Sequence, residues 1–267
     1  MWTAGLRTGA ACLGREPFLG IKRLLLPVSY WRIAEFAYVW RRLAGMRGAH
    51  LLDLGSPKDL STILARDMGC AVTAVDILPE AVALSERHAQ AQGLNGRGPG
   101  KVWSEVQDGR RLSYADATFD AAYSVSVLEH IPDRGDTTAM QELVRVVKPG
   151  GLVVVTTPYD TAYRETYVEE SVYERTQLGA EPVFFERHYD DTSLAERLLS
   201  PINAERVDQE FWGERGVRGE SLLVRAGRLR LPLSPLEPLM SGLFLHRLRS
   251  SPNEHPMAVF FTVRKRG

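Results

Sequence analysis

The chain has 267 residues, 44% of them hydrophobic and 25% charged, which is the composition of an ordinary globular protein with room for a full core. Lysine plus arginine equals aspartate plus glutamate at 33 each, so no global charge steers the chain toward nucleic acid. Only Cys12 and Cys70 are available as thiols, far apart and without metal-ligand spacing, which speaks against a disulfide framework and for a reducing, cytoplasmic setting.

Residues 1–27 show weak periodicity broken by Gly and Pro and read as a mobile arm without the apolar run of a signal peptide. From Ser29, a plausible N-cap, Ile33, Phe36, Ala37, Trp40 and Leu43 recur at helical spacing up to Gly45. A strand–helix alternation follows. His50–Leu54 reads as a strand, Leu60–Met68 as a helix closed by Gly69, Ala71–Val75 as a strand and Pro79–Gln92 as a helix. After the loop Gly93–Gly100 come strands Val102–Gln107 and Phe119–Val127, the helix Thr137–Val147, a turn at Lys148-Pro-Gly-Gly151 and the strand Leu152–Thr157. Beyond Pro158 the pattern lapses into an acidic, aromatic stretch containing Tyr159, Tyr163, Tyr167, Tyr173, Phe184, Phe185 and Tyr189. Ser193-Leu-Ala-Glu196 then resembles a capping box, and Arg206–Trp212 and Ala258–Arg264 supply a sixth and a seventh strand. The expected fold is α/β: a mainly parallel seven-stranded sheet with helices on both faces, an N-terminal helical cap and an insertion after strand five. The divisions are 1–48 for arm and cap, 49–158 for a ligand-binding core, and 159–267 for the insertion and the rest of the sheet. No segment approaches the roughly 20 apolar residues of a membrane span. The basic, leucine-rich stretches Ile21–Leu43 and Leu222–Arg249 read as solvated faces of lid helices in preference to a peripheral membrane contact.

In such a sheet ligands sit beyond the carboxyl ends of the strands, so the loops after strands one to four carry the chemistry. The first is Asp53-Leu-Gly-Ser-Pro-Lys-Asp59. A dinucleotide fingerprint needs glycines at 55, 57 and 60, but the residues are Gly55, Pro57 and Leu60. One acidic residue before one glycine turn suits a ligand with an ammonium group better than one with two phosphates. Asp76 ends the second strand, where a carboxylate can accept hydrogen bonds from both ribose hydroxyls, and Ile77 can lie flat on an adenine. Asp108 and Gly109 follow the third strand, with an acceptor suited to the adenine amine. Each aspartate alone is also an ordinary cap or turn residue, whereas three at successive strand ends form a set.

That set resembles the Rossmann-like S-adenosylmethionine-dependent methyltransferases, in particular the ubiquinone and menaquinone biosynthesis group. The matching pieces are Leu51-Leu-Asp-Leu-Gly55, Ala74-Val-Asp-Ile77, Asp108-Gly-Arg-Arg-Leu112, Phe119-Asp-Ala-Ala-Tyr-Ser-Val-Ser-Val-Leu-Glu-His-Ile-Pro132 and Leu143-Val-Arg-Val-Val-Lys-Pro-Gly-Gly-Leu152, in the family's order across residues 50–157. The resemblance implies S-adenosyl-L-methionine as cofactor, with Asp53, Gly55 and Ser56 at its methionine end, Asp76 on the ribose, Ile77, Asp108 and Gly109 around the adenine, and Ser124 near the carboxylate or sulfonium. It implies methyl transfer to a small-molecule or lipid-like acceptor, oxygen first, with carbon or nitrogen as further choices. No metal is implied. Strand four lacks the Asn/Asp-Pro-Pro-Tyr/Phe tetrapeptide of base N-methyltransferases, which disfavours nucleic acid as substrate. The departure is Gly55-Ser-Pro-Lys-Asp59 where the family has Gly-x-Gly-x-Gly; Pro57 removes a donor and stiffens the loop. His130, His188 and Tyr159 are the candidates for orienting or deprotonating the acceptor, each with a packing role as the alternative. A non-catalytic scaffold and a nucleotide-dependent oxidoreductase are the rival functions.

Overall fold

The apolar runs become strands because both of their faces are covered. In the computed structural model, which describes residues 1–169, 182–215, 234–248 and 255–267, nearly every residue of β1 (His50–Leu54), β2 (Ala71–Asp76) and β4 (Phe119–Val125) is buried. β1 pairs in parallel with β2 and with β4; β3 (Val102–Val106) lies outside β2, and β5 (Val147–Pro158) outside β4. Side-chain alternation divides each strand between two cores. Leu51, Tyr123, Val154 and Phe260 pack on one face under α3 (Tyr30–Leu43) and α4 (Asp59–Met68). Leu52, Ala122, Val153, Val155 and Phe261 pack on the other under α6 (Gly135–Val146). Helix α5 (Pro79–Ala91) connects β2 to β3.

After β5 the chain makes a separate antiparallel hairpin, β6 (Arg164–Val168) with β7 (Val183–His188). A helical turn α7 (Asp191–Leu194), running on into Ala195–Leu199, leads to β8 (Ala204–Glu214). Helix α8 (Glu237–Phe244), β9 (Leu245–Leu248) and β10 (Ala258–Lys265) complete the described chain. β10 inserts antiparallel between β5 and β8, giving the sheet order β3-β2-β1-β4-β5-β10-β8-β9. Strand order reverses between β1 and β4, which sets the ligand crevice above them. No helix among the described residues is long and apolar enough to cross a membrane.

Four expectations need correction. The sheet has eight strands, because the four-residue β9, too short to show a period, pairs with β8 at the edge. Residues 1–27 are not a loose arm but two packed helices, α1 (Trp2–Cys12) and α2 (Pro17–Leu25). Their glycines are the contact: a Cβ on Gly9 would fall 2.8 Å from the Leu24 amide nitrogen, and one on Gly20 would fall 2.9 Å from the Gly9 carbonyl oxygen. The capping box lies three residues earlier, with Asp190 as N-cap accepting from the Ser193 amide at 2.8 Å. Finally, α3 buries more than one stripe. Glu35, Tyr38 and Val39 go inside along with Phe36 and Leu43: Tyr38 bonds Asp208 of β8 and Thr262 of β10, Glu35 bonds Ser126 and Thr156 at the sheet's end, and α8 packs against the helix as well. Tyr173 and the arginines at 225, 228, 230 and 249 lie outside the described residues.

Candidate cofactor and acceptor site

The first loop is built from the inside outward. Asp53 is 1% exposed and uses both oxygens within the protein: Oδ1 accepts from the Ser56 amide at 3.0 Å and Oδ2 from the Tyr123 hydroxyl at 2.8 Å. Ser56 in turn accepts the Val125 amide at 3.0 Å, and the Ser124 hydroxyl donates to the Leu54 carbonyl at 3.3 Å. β1 and β4 are thus laced together at their carboxyl ends. Burial pushes the Asp53 carboxyl up, and nearby Lys58 opposes that shift. Gly55 sits at φ +66°, and a Cβ there would come within 2.9 Å of Val127 Cγ1, so the turn admits only glycine without strain. Pro57 lies two residues before α4, its carbonyl accepting the Leu60 amide at 3.0 Å. From behind, Arg23 of α2 pairs with buried Asp59 at 2.8 Å, and the His88 ring lies 3.3 Å from the same carboxylate.

The second and third loops lie beside it. Asp76 ends β2, with Oδ1 accepting the Leu78 amide at 3.0 Å and Oδ2 accepting the Lys58 ammonium at 2.6 Å. Ile77, next in line, is half exposed. The Gln107 amide donates to the Asp76 carbonyl at 3.0 Å, which brings Asp108 and Gly109 alongside. Arg110 chelates the Asp108 carboxylate at 2.7–3.0 Å and holds it below the usual carboxylate range. A Cβ on Gly109 would meet Leu54 Cδ1 at 2.8 Å, so the first and third loops touch through Leu54. The carboxyl ends of β1 to β4 therefore carry Asp53, Gly55, Ser56, Asp76, Ile77, Asp108, Gly109 and Ser124 along one continuous edge.

Across this edge, beyond β4 and β5, lies a buried polar cluster that sequence reasoning missed. Glu35 of α3 accepts from the Ser126 hydroxyl at 2.6 Å, the Thr156 hydroxyl at 2.9 Å and Arg32 at 2.6 Å. Ser126 itself sits at φ +51°, an uncommon conformation for a serine. Glu129, in the short turn after β4, accepts from the Thr157 hydroxyl at 3.3 Å. Burial, reinforced by the Glu35 charge, pushes its carboxyl up to about 8. The folded chain therefore keeps a proton that the unfolded chain releases above the ordinary glutamate range, and stability from this group falls as pH rises toward about 8. Glu129→Gln is expected to gain stability relative to the parent between about pH 5 and about pH 8.5. Urea unfolding at both pH values checks this; a stability difference that does not move with pH contradicts it.

His130 joins that cluster to the insertion. Its Nδ1 lies 2.8 Å from the Phe185 carbonyl, its ring meets the Phe185 ring at 5.1 Å, and burial lowers its pKa. His188 faces the rim of the hairpin instead, between Arg164 at 3.0 Å and Glu186 at 3.2 Å. Tyr159 is 6% exposed and packed on Phe211 at 4.8 Å; burial, with Asp191 as hydrogen-bond partner, pushes its phenol up. Of the three acceptor-side candidates, only His130 thus adjoins the Glu129 cluster. The hairpin is fastened by Asp136, fully buried, which pairs with Arg187 and Arg197 at 2.8 Å each and accepts the Tyr189 hydroxyl at 2.9 Å. No group of three or more potential metal ligands occurs among the described residues.

Comparison with known proteins gives this arrangement its context. A methyltransferase domain family matches residues 52–155. The chain is 38% identical over 111 residues to a 2-methyl-6-phytyl-1,4-hydroquinone methyltransferase of Synechocystis sp., covering 40% of this chain and 31% of that protein. It is 32% identical over 132 residues to a ubiquinone biosynthesis O-methyltransferase of Xanthomonas axonopodis pv. citri, covering 49% and 52%. These matches span from about a third to about half of the relatives' own length. The solved structure of a coclaurine N-methyltransferase bound to N-methylheliamine and SAH superposes with a TM-score of 0.59 at 16% identity, over 87% of this chain and 72% of that one. Residues 52–155 thus match the methyltransferase domain family, on a sheet whose strand order reverses between β1 and β4 beneath the loops described above.

Proposed function

We propose that the chain transfers a methyl group from S-adenosylmethionine to a small-molecule or lipid-like acceptor, with oxygen as the first choice of atom. The observation that carries this reading is the single edge of glycine turn and three aspartates above the switch point. The residues there fit the cofactor. Gly55 makes the tight left-handed turn that a Cβ would block against Val127, Ile77 offers an exposed apolar face to an adenine, and the Asp76 carboxylate keeps lone pairs beyond the two it uses. Asp108 and Gly109 flank the adenine edge. Gly55, Ser56 and Ser124 line the methionine end, with Asp53 shaping the turn from behind. When bound, the cofactor supplies an electrophilic methyl group on its sulfonium.

The chain's own residues orient the acceptor, exclude water and take a proton. The β6–β7 hairpin, anchored at Asp136, covers the acceptor side. His130 is the proposed base. Burial favours its neutral form, and with Nδ1 donating to the Phe185 carbonyl, Nε2 is the basic nitrogen. It lies 4.0 Å from a Glu129 oxygen, and at neutral pH that carboxyl holds its proton and does not compete for the acceptor's. His188 and Tyr159 frame the opening without abstracting the proton. The buried free thiols Cys12 and Cys70 accord with action in the cytoplasm.

The test is incubation of the full chain with methyl-labelled cofactor and a panel of phenols, quinols and amines. Acceptor-dependent release of S-adenosylhomocysteine is the expected result. Tight cofactor binding with no turnover across the panel favours a non-catalytic scaffold.

A further inference from the structure

Lys58 stands in the first loop between Pro57 and Asp59, the two positions at which this turn lacks a glycine. Its ammonium spans the turn and donates to Asp76 Oδ2 at 2.6 Å, and both side chains are largely shielded, at 12% and 15% exposure. The other oxygen of Asp76 is taken by the Leu78 amide. The carboxylate read above as the ribose acceptor therefore already carries one charged and one neutral donor.

The backbone beneath Lys58 is fixed. Pro57 precedes it with a locked φ, Lys58 itself is helical at φ −61° and ψ −16°, and its carbonyl accepts the Ser61 hydroxyl at 3.2 Å. The next residue, Asp59, is pinned from behind by Arg23 of α2 and faces His88 of α5. The loop cannot move away as a body, so only the lysine side chain can yield. A ribose diol brings two donors to Asp76, and the one that reaches Oδ2 must share that oxygen with the Lys58 ammonium, which crowds its approach. Asp53, the other acid near Lys58, is closed to it by the Ser56 amide and the Tyr123 hydroxyl, so the displaced ammonium has water as its alternative.

We infer that Lys58 is a built-in competitor for the ribose-binding carboxylate, so that cofactor binding requires breaking or sharing the Lys58–Asp76 ion pair and Lys58 sets the cofactor affinity of this site. The inference rests on the reading of Asp76 as the ribose acceptor.

The experiment is calorimetric titration of S-adenosylmethionine and S-adenosylhomocysteine into the full-length parent, Lys58→Met and Lys58→Gln. Thermal melts serve to show that each variant is folded. Both variants should bind both ligands about three- to tenfold more tightly than the parent. The gap should narrow at about 0.5 M salt, where the pair is already weakened in the parent, a change that general loosening of the loop would not produce. Binding that appears only in the variants also supports the inference. Equal or weaker binding by folded variants overturns it while leaving the site assignment intact. Absence of binding in parent and variants alike overturns the site assignment, and the inference with it.

Discussion

Asp136→Ala is expected to destabilise the fold by about 3–5 kcal/mol, the largest effect of any single substitution considered for this chain. Asp136 has no exposed surface, and its carboxylate is the counter-charge for two guanidinium groups, one of which, Arg187, is itself fully buried. Removing the acid leaves the enclosed Arg187 with Glu165, 3.9 Å away, as a distant counter-charge, and also strips the acceptor from the buried Tyr189 hydroxyl. The ion pair as a whole need not be worth that much compared with an apolar replacement; it is the breaking of one side that costs. Arg187 belongs to β7 and Arg197 to the turn after α7, so the loss should also free the hairpin proposed to cover the acceptor side. Denaturant unfolding measures the first effect. Faster hydrogen exchange at β6 and β7 amides than at β1 and β4 amides measures the second. Should the alanine variant not fold, Asp136→Asn keeps the shape but not the charge and should still lose more than about 2 kcal/mol. A loss below about 1 kcal/mol in both variants would show that the cluster is not the anchor.

Asp76→Ala has the opposite profile, with a smaller effect on stability and a large one on binding. Its removal takes the acceptor from the Leu78 amide and from the largely shielded Lys58 ammonium, which can turn to water, so a loss of about 1–2 kcal/mol is expected. Binding of S-adenosylmethionine should weaken about 10- to 100-fold, as expected for the loss of two hydrogen bonds to a charged acceptor. Wild-type affinity in Asp76→Ala would remove the ribose from this position. The two variants together separate scaffold from site: one disturbs the fold around the acceptor, the other the cofactor edge alone.

Much of this was legible in the sequence, for identifiable physical reasons. β1, β2, β4 and β5 are covered on both faces, so they appear as continuous apolar runs, and their order with intervening helices implies the parallel sheet. The aspartates at strand ends were visible because a strand end is a position that can be read locally. What was not legible depends on partners distant in the chain. Gly5, Gly9 and Gly20 look like helix breakers until one sees that they let α1 approach Pro27 and α2. β6 and β7 mix aromatic and charged residues at half-exposed positions, which leaves no clear alternation. Tyr123 reads as one more apolar residue of β4, although its hydroxyl fixes Asp53. Glu35 reads as part of the solvated face of α3, because nothing nearby in sequence announces Ser126 and Thr156 as its partners. Pro57 is legible as a departure from a glycine-rich turn, but only the fold shows that Lys58 beside it reaches Asp76.

The central claim is that the edge formed by Asp53, Gly55, Asp76 and Asp108 binds S-adenosylmethionine. The most direct measurement is calorimetric titration of the full chain with S-adenosylmethionine and, separately, with NADH and NADPH. Saturable one-to-one binding of S-adenosylmethionine and no heat from either dinucleotide is the expected result. Binding of NADH or NADPH without binding of S-adenosylmethionine would contradict the account.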